Sequence, residues 1–148
     1  MNNNRLILTW EAIDTACKEL ASTINVPITH VVGIARGGLI PATLIAKHLN
    51  VREVISLGLK SYNDGDDYET REPVPEVYQH INQCFQISRG TSRVLIVDDI
   101  TDKGNTFNFI STYLHDMSMA INFYTAASKF SKSYHKSSWS FKVSDWKF

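Results

Sequence analysis

Cysteine is scarce in this chain: Cys17 and Cys84 are the only two among 148 residues, far apart and in no metal-like spacing. That excludes a disulfide-stapled scaffold and makes a reduced, cytoplasmic protein the expectation. Five scattered histidines form no zinc signature. A surplus of one charge is missing too, because fifteen basic residues balance fifteen acidic ones. No electrostatic footprint is left for nucleic acid or an anionic membrane surface. No apolar run approaches the roughly 20 residues of a membrane span, and the first residues turn polar too soon after Leu6-Ile7-Leu8 for a signal peptide. Neither Gly-x4-Gly-Lys-Ser/Thr nor Gly-x-Gly-x-x-Gly occurs, so two common nucleotide cradles are absent. There is no internal repeat.

What is present fits one ordinary domain over residues 1–148, long enough to bury a core. Strand and helix patterns alternate. Arg5 to Thr9 reads as a short strand, and Trp10 to Asn25 as a helix with Ile13, Ala16, Cys17, Leu20, Ala21 and Ile24 on one stripe, stopped by Pro27. A strand follows at His30 to Ile34. The next helix, Leu39 to Leu49, tolerates Pro41 in its first turn and stops at Asn50. Strands at Glu53 to Leu59 and Val94 to Val97, a helix after Asn105, a strand at Ala120 to Ala127 and one around Trp139 to Val143 complete the series. This alternation predicts an α/β fold with a doubly wound sheet. Val77 to Phe85 reads equally as strand or short helix.

The segment Val94-Leu95-Ile96-Val97-Asp98-Asp99-Ile100-Thr101-Asp102-Lys103-Gly104-Asn105-Thr106 carries the strongest chemical signal. An uninterrupted apolar run suits a parallel strand covered on both faces, and such sheets bind ligands beyond their strand carboxyl ends. Asp98, Asp99 and Asp102 are delivered there. Thr101 to Thr106 lead into Phe107, Ile110 and Leu114, spaced as a helix face, so the loop closes on a helix start whose free N–H groups attract anions. Carboxylates beside a phosphate cradle suggest a sugar phosphate with magnesium. A second site follows the strand at His30 to Ile34. In Ala35-Arg36-Gly37-Gly38 two glycines allow close backbone approach, and Arg36 offers a forked cation for pyrophosphate oxygens.

The acidic segment resembles the phosphoribosyl pyrophosphate motif of type I phosphoribosyltransferases, with Lys103 where a small residue is usual and Asn105 where a second glycine is common. Ala35-Arg36-Gly37-Gly38-Leu39-Ile40-Pro41 is similar to the pyrophosphate loop of the purine-salvage members, and Ser61-Tyr62 to the start of their flexible catalytic loop. The likeness continues in order, from Leu8-Thr9-Trp10-Glu11 to Lys129 and Asp145-Trp146, and is nearest to the xanthine-guanine and hypoxanthine-using branch.

The resemblance implies a mostly parallel twisted sheet flanked by helices, a long mobile lid at 63–92 and a base-binding hood at 128–148 together with the N-terminus. It implies transfer of a phosphoribosyl group from 5-phosphoribosyl 1-pyrophosphate to a 6-oxopurine with Mg2+. Asp98 and Asp99 would hold the ribose hydroxyls, with Asp99 nearer the metal. Thr101, Lys103, Gly104, Asn105 and Thr106 would cradle the 5-phosphate, and Asp102 would act as general base. Arg36, Gly37, Gly38, Ser61 and Tyr62 would meet pyrophosphate. Lys129 would contact the 6-oxo group, and Trp146 with Lys147 would hold the base. The lid would keep water from a reactive sugar cation. A homodimer or tetramer is implied, and the aromatics Phe107, Phe109 and Tyr113 exceed what one buried helix face needs. Guanine, xanthine and hypoxanthine are not ranked. The alternatives are a transferase for another base and a non-catalytic regulator that binds nucleotide on the same fold.

Overall fold

The computed structural model describes residues 9–62, 71–81, 92–101, 105–116, 122–129 and 139–142. The expected strand at Arg5 to Thr9 lies outside them except for Thr9. That residue is instead the N-cap of α1 (Trp10–Thr23): its backbone is extended and its hydroxyl accepts the Ala12 N–H at 3.2 Å. α1 stops two residues short of the expected Asn25. The Ser22 and Thr23 hydroxyls donate to the Glu19 and Leu20 carbonyls, and Ile24 is already extended before the Val26-Pro27 step.

The strand β1 (His30–Ala35) is followed by α2 (Leu39–His48), whose end is closed by Asn50 in the left-handed region, φ 56°. The Asn50 N–H donates to Lys47 O at 3.1 Å and the Val51 N–H to Ala46 O at 2.9 Å, a Schellman closure. The remaining elements are β2 (Glu53–Tyr62), β3 (Arg71–Gln79), β4 (Arg93–Thr101), α3 (Asn105–Asp116), β5 (Asn122–Lys129) and β6 (Trp139–Lys142). They build one six-stranded sheet in the order β3-β2-β1-β4-β5-β6. Every neighbouring pair is parallel except β2 and β3.

Strand pairing adds detail to two of the expected stretches. Within the stretch 63–92, expected as a lid, residues 71–79 form strand β3 antiparallel to β2, with Leu59 opposite Val77 and Tyr62 opposite Arg71. Pro73 and Pro75 are tolerated because β3 is the sheet edge, where one row of backbone groups has no strand to bond. A Cβ added at Gly58 would meet the Gln79 Cβ and the Tyr78 ring at 2.6 Å, so a bare glycine lets β3 lie close against β2. Residues 63–70 and 82–91 lie outside the described part. Likewise, of the expected hood at 128–148, Ser128, Lys129 and 139–142 belong to the main sheet. β5 runs two residues past the expected Ala127, because its pairing with β4 continues to Thr101 opposite Lys129.

Side-chain alternation along the strands divides the core into two layers. Val31, Leu95 and Val97 pack with Cys17, Leu20 and Ala21 of α1 and Ala42, Ile45 and Ala46 of α2. Val32, Ile34, Val94 and Ile96 pack on the opposite face with Phe107 and Ile110 of α3. His48 Nε2 bonds Asp14 Oδ1 at 2.8 Å and ties α2 to α1. That contact holds the exposed Asp14 carboxyl below its ordinary range. The aromatic surplus of α3 is used within the chain. Phe109 and Tyr113 pack against the same core as Phe107, and the Tyr113 hydroxyl lies 3.0 Å from His80 Nδ1.

Candidate functional site

Chain direction places the site. From β1 the chain winds outward to β2 and β3 on one side; from β4 it winds outward to β5 and β6 on the other. β1 and β4 are therefore the adjacent parallel strands between which the winding reverses, and open α/β sheets bind ligands at the carboxyl end of such a junction. Gly33 of β1 is in register with Val97 of β4. The next residues are the Arg36-Gly37-Gly38 turn on one strand and Asp98-Asp99 on the other, so two motifs distant in sequence meet at one edge.

The glycines measure how closely they meet. A Cβ at Gly38 would stand 2.6 Å from Val97 O, 2.8 Å from Ile34 O and 3.0 Å from the Asp98 Cα. Gly38 itself has ordinary helical torsions, φ −70° and ψ −10°, so it is glycine for room and not for backbone freedom. A Cβ at Gly37 would fall on the Asp99 carboxylate. Gly33 does the same for the helix: a Cβ there would lie 2.8 Å from the Ala42 Cβ, so α2 packs directly on β1. The Ala35–Arg36 peptide is cis.

The turn is held by its own backbone. The Gly38 N–H, expected to receive pyrophosphate, donates inward to Ile34 O at 2.8 Å, and the Leu39 N–H donates to Arg36 O at 3.2 Å. Gly38 supplies space at the strand junction; Arg36 and Gly37 are the exposed part of the turn.

The paired acids differ in the fold by burial. Asp98 is buried and Asp99 is exposed. Burial, then the neighbouring Asp99 charge, holds the Asp98 carboxyl well above its ordinary value of 3.8. Asp98 Oδ1 accepts the Asp99 N–H at 2.9 Å, which fixes the turn of the chain between them. By contrast Cys17, whose thiol is pushed up to about 11 by burial in the helical layer, is an unreactive core residue.

Beyond the acids, β4 ends at Thr101 and α3 begins at Asn105, with Thr106 half-buried in its first turn. Phe107 and Ile110 pin that helix in the core at 1 % and 0 % exposure. Three intervening residues reach only about 10 to 14 Å, so the α3 start is held near the acidic strand end. Asp102, Lys103 and Gly104 lie outside the described residues, as do Trp146 and Lys147. Ser61 and Tyr62 close β2, which runs past the end of β1 to pair with β3. Lys129 sits in register with Thr101 on one side and with Lys142 on the other. Sequence reading passed over Lys142; only its strand pairing distinguishes it from any other lysine.

The donor set fits magnesium. Among the described residues no group of three His, Cys, Asp or Glu side chains forms a metal cage. The exposed Asp99 carboxylate is the kind of single oxygen ligand that magnesium takes when water and substrate supply the rest.

The profile of the phosphoribosyl transferase domain family matches residues 5–148. The chain is 27% identical over 112 residues to a xanthine-guanine phosphoribosyltransferase of Idiomarina loihiensis, a match covering 74% of this chain and 64% of the relative. It therefore spans less than two thirds of that relative's length. Its fold is similar to that of a purine phosphoribosyltransferase of Pyrococcus horikoshii, with a TM-score of 0.73, 23% identity, and 95% and 89% of the two chains covered. It is also similar to that of a Neisseria gonorrhoeae protein with bound ppGpp, with a TM-score of 0.75, 22% identity, and 94% and 83% covered.

Proposed function

Because the chain belongs to the phosphoribosyl transferase domain family, we propose that it moves a phosphoribosyl group from 5-phosphoribosyl 1-pyrophosphate to a 6-oxopurine and releases pyrophosphate. The observation that carries this reading is the meeting of the acidic pair with the Arg36-Gly37-Gly38 turn at the strand junction. A sugar that bears phosphates at both ends needs its hydroxyls held between two anion-binding points, and this edge offers that order.

In this reading the buried Asp98 and the exposed Asp99 take the ribose hydroxyls, and Asp99 also faces the magnesium shell. Magnesium, when bound, neutralises charge that develops on the leaving pyrophosphate. Arg36 and the Gly37 backbone meet the same group, with Ser61 and Tyr62 closing over it. Thr101, Lys103, Gly104, Asn105 and Thr106 hold the 5-phosphate at the α3 start, where the helix dipole adds about 0.3 to 1 kcal/mol. Asp102 takes the proton that leaves the attacking ring nitrogen. Lys129 donates to the purine 6-oxo oxygen, which a 6-amino group could not accept, and Trp146 with Lys147 covers the ring. The stretch 63–92 serves as the lid and 128–148 as the base-binding hood, and the protein works as a soluble cytoplasmic homodimer or tetramer. The aromatic stripe of α3 is spent on its own core, so the assembly rests on family likeness alone; a monomer mass in gel filtration at micromolar concentration would remove it.

The test is magnesium-supported pyrophosphate release with guanine, xanthine, hypoxanthine, adenine, uracil and orotate offered singly. Release that requires a 6-oxopurine is expected; release only with another base would reassign the substrate. Under the same conditions Asp102→Asn lowers kcat by at least about 10²-fold. Full turnover in that variant would overturn the general-base role.

A further inference from the structure

Resting on the transferase reading and on Lys129 as its base contact, strand register brings in a residue that ranks the 6-oxopurines. We propose that Lys142 selects the base: set beside Lys129 at the carboxyl edge of the sheet, it favours xanthine, taken as its ring anion, over guanine and hypoxanthine.

The placement comes from the backbone. Thr101, Lys129 and Lys142 are the last residues of β4, β5 and β6, and strand pairing sets them in one row across the edge that carries the acidic site. Residues in register on neighbouring strands share a sheet face at a spacing of about 4.8 Å. Two like charges in that relation destabilise a sheet unless an anion answers them. The row supplies none. On its inner side Lys129 has the neutral Thr101 in register, and the β4 acid that pairs with β5, Asp98, stands opposite Ala127. Nor does the surrounding sequence help: residues 117 to 144 hold Lys129, Lys132, Lys136 and Lys142 but no aspartate or glutamate. Lysine on an edge strand keeps other chains from pairing with it, but that task gains nothing from a second lysine in register.

The three bases differ at one ring position. All present the 6-oxo oxygen assigned to Lys129. At the 2-position guanine carries an amino donor, which an ammonium cannot use; hypoxanthine carries only hydrogen, and xanthine a second oxo oxygen. Two oxygens set meta on a six-membered ring stand about as far apart as adjacent strands. Xanthine is also the most acidic of the three and loses a ring proton near neutral pH, so its anion answers the charge of the row. A hydrogen bond from an ammonium to a charged acceptor is about twice as strong as a neutral one.

The test compares kcat/KM for xanthine and hypoxanthine in wild type, Lys142→Gln and Lys142→Arg, with equilibrium dialysis of the xanthine and hypoxanthine nucleoside monophosphates against the same chains. Wild type prefers xanthine, and in Lys142→Gln the xanthine-to-hypoxanthine ratio falls at least about tenfold, the loss expected of one hydrogen bond to a charged acceptor. Lys142→Arg, which keeps the charge, retains the preference. Dialysis follows the same order without turnover. An unchanged ratio in Lys142→Gln, or a wild-type chain that binds the xanthine nucleotide no more tightly than the hypoxanthine one, overturns the selector and leaves the transferase reading standing. Absence of pyrophosphate release by wild type with every 6-oxopurine overturns the two together.

Discussion

Asp98→Asn is expected to yield a protein that is more heat-stable than wild type at pH 7 and about 10- to 10²-fold less active. The native Asp98 carboxyl is buried beside Asp99 and held well above its ordinary value of 3.8. Across the pH range between the unfolded and folded values, the folded chain keeps a proton that the unfolded chain has shed. The stability contributed by this group is then fully present below about pH 4 and is lost as pH rises toward the folded value. Asparagine has no proton to lose, and its Oδ1 can still accept the Asp99 N–H that the native oxygen takes at 2.9 Å. The variant's melting temperature stays flat with pH where the wild type declines. At pH 7 the difference is at least about 2 to 4 °C, the shift expected of about 1 kcal/mol in a chain this size. Activity moves the opposite way. In the proposed ribose-binding role, an amide replaces a neutral carboxyl, and two hydrogen bonds lost at about 0.5 to 1.5 kcal/mol each lower kcat/KM about 10- to 10²-fold. Thermal melts from pH 4 to 8, paired with the pyrophosphate-release assay, read both arms. Equal melting temperatures and slopes would show that Asp98 is not a strained buried acid.

Gly38→Ala and Gly37→Ala are expected to separate fold from function within one dipeptide. At Gly38 the new methyl meets backbone on every side, 2.6 Å from Val97 O and 2.8 Å from Ile34 O. Neither strand can yield without moving the sheet centre. Overpacking of that kind costs about 1 to 3 kcal/mol, or roughly 2 to 12 °C, and opens the junction that aligns the acids with the turn, so stability and activity fall together. At Gly37 the methyl meets only the Asp99 carboxylate, a side chain that can rotate away. Gly37→Ala therefore melts within about 2 °C of wild type. It nonetheless loses turnover under the proposed mechanism, in which Asp99 serves ribose and metal from the position that the methyl would take. The same pair of measurements on both variants decides the matter; a Gly37→Ala chain that unfolds early would mean the turn is structural.

Much of the fold was legible because apolar residues repeat at helix and strand periods. The cores of α1, α2 and β4 follow those stripes closely. Lid and hood were less legible, since strand pairing depends on the partner. Arg71–Gln79 carries two prolines and no clean alternation, and it becomes a strand only because the free edge of β2 lies beside it. Likewise β5 extends to Lys129 because β4 supplies a partner as far as Thr101.

The sequence by itself determined the chemistry available to this protein. An acidic strand end, a hydroxyl-rich loop opening a helix and an arginine-glycine turn are local patterns, and local spacing is what a sequence preserves. Only the tertiary structure decided how those pieces act on one another. The order of strands set Gly37 and Gly38 against Asp99 and the end of β4, the hydrogen bond to Ile34 turned the Gly38 N–H inward, and burial made Asp98 and Asp99 into two different acids. Distance between strands and depth below the surface are properties of the assembled sheet, and no run of neighbouring residues encodes them alone.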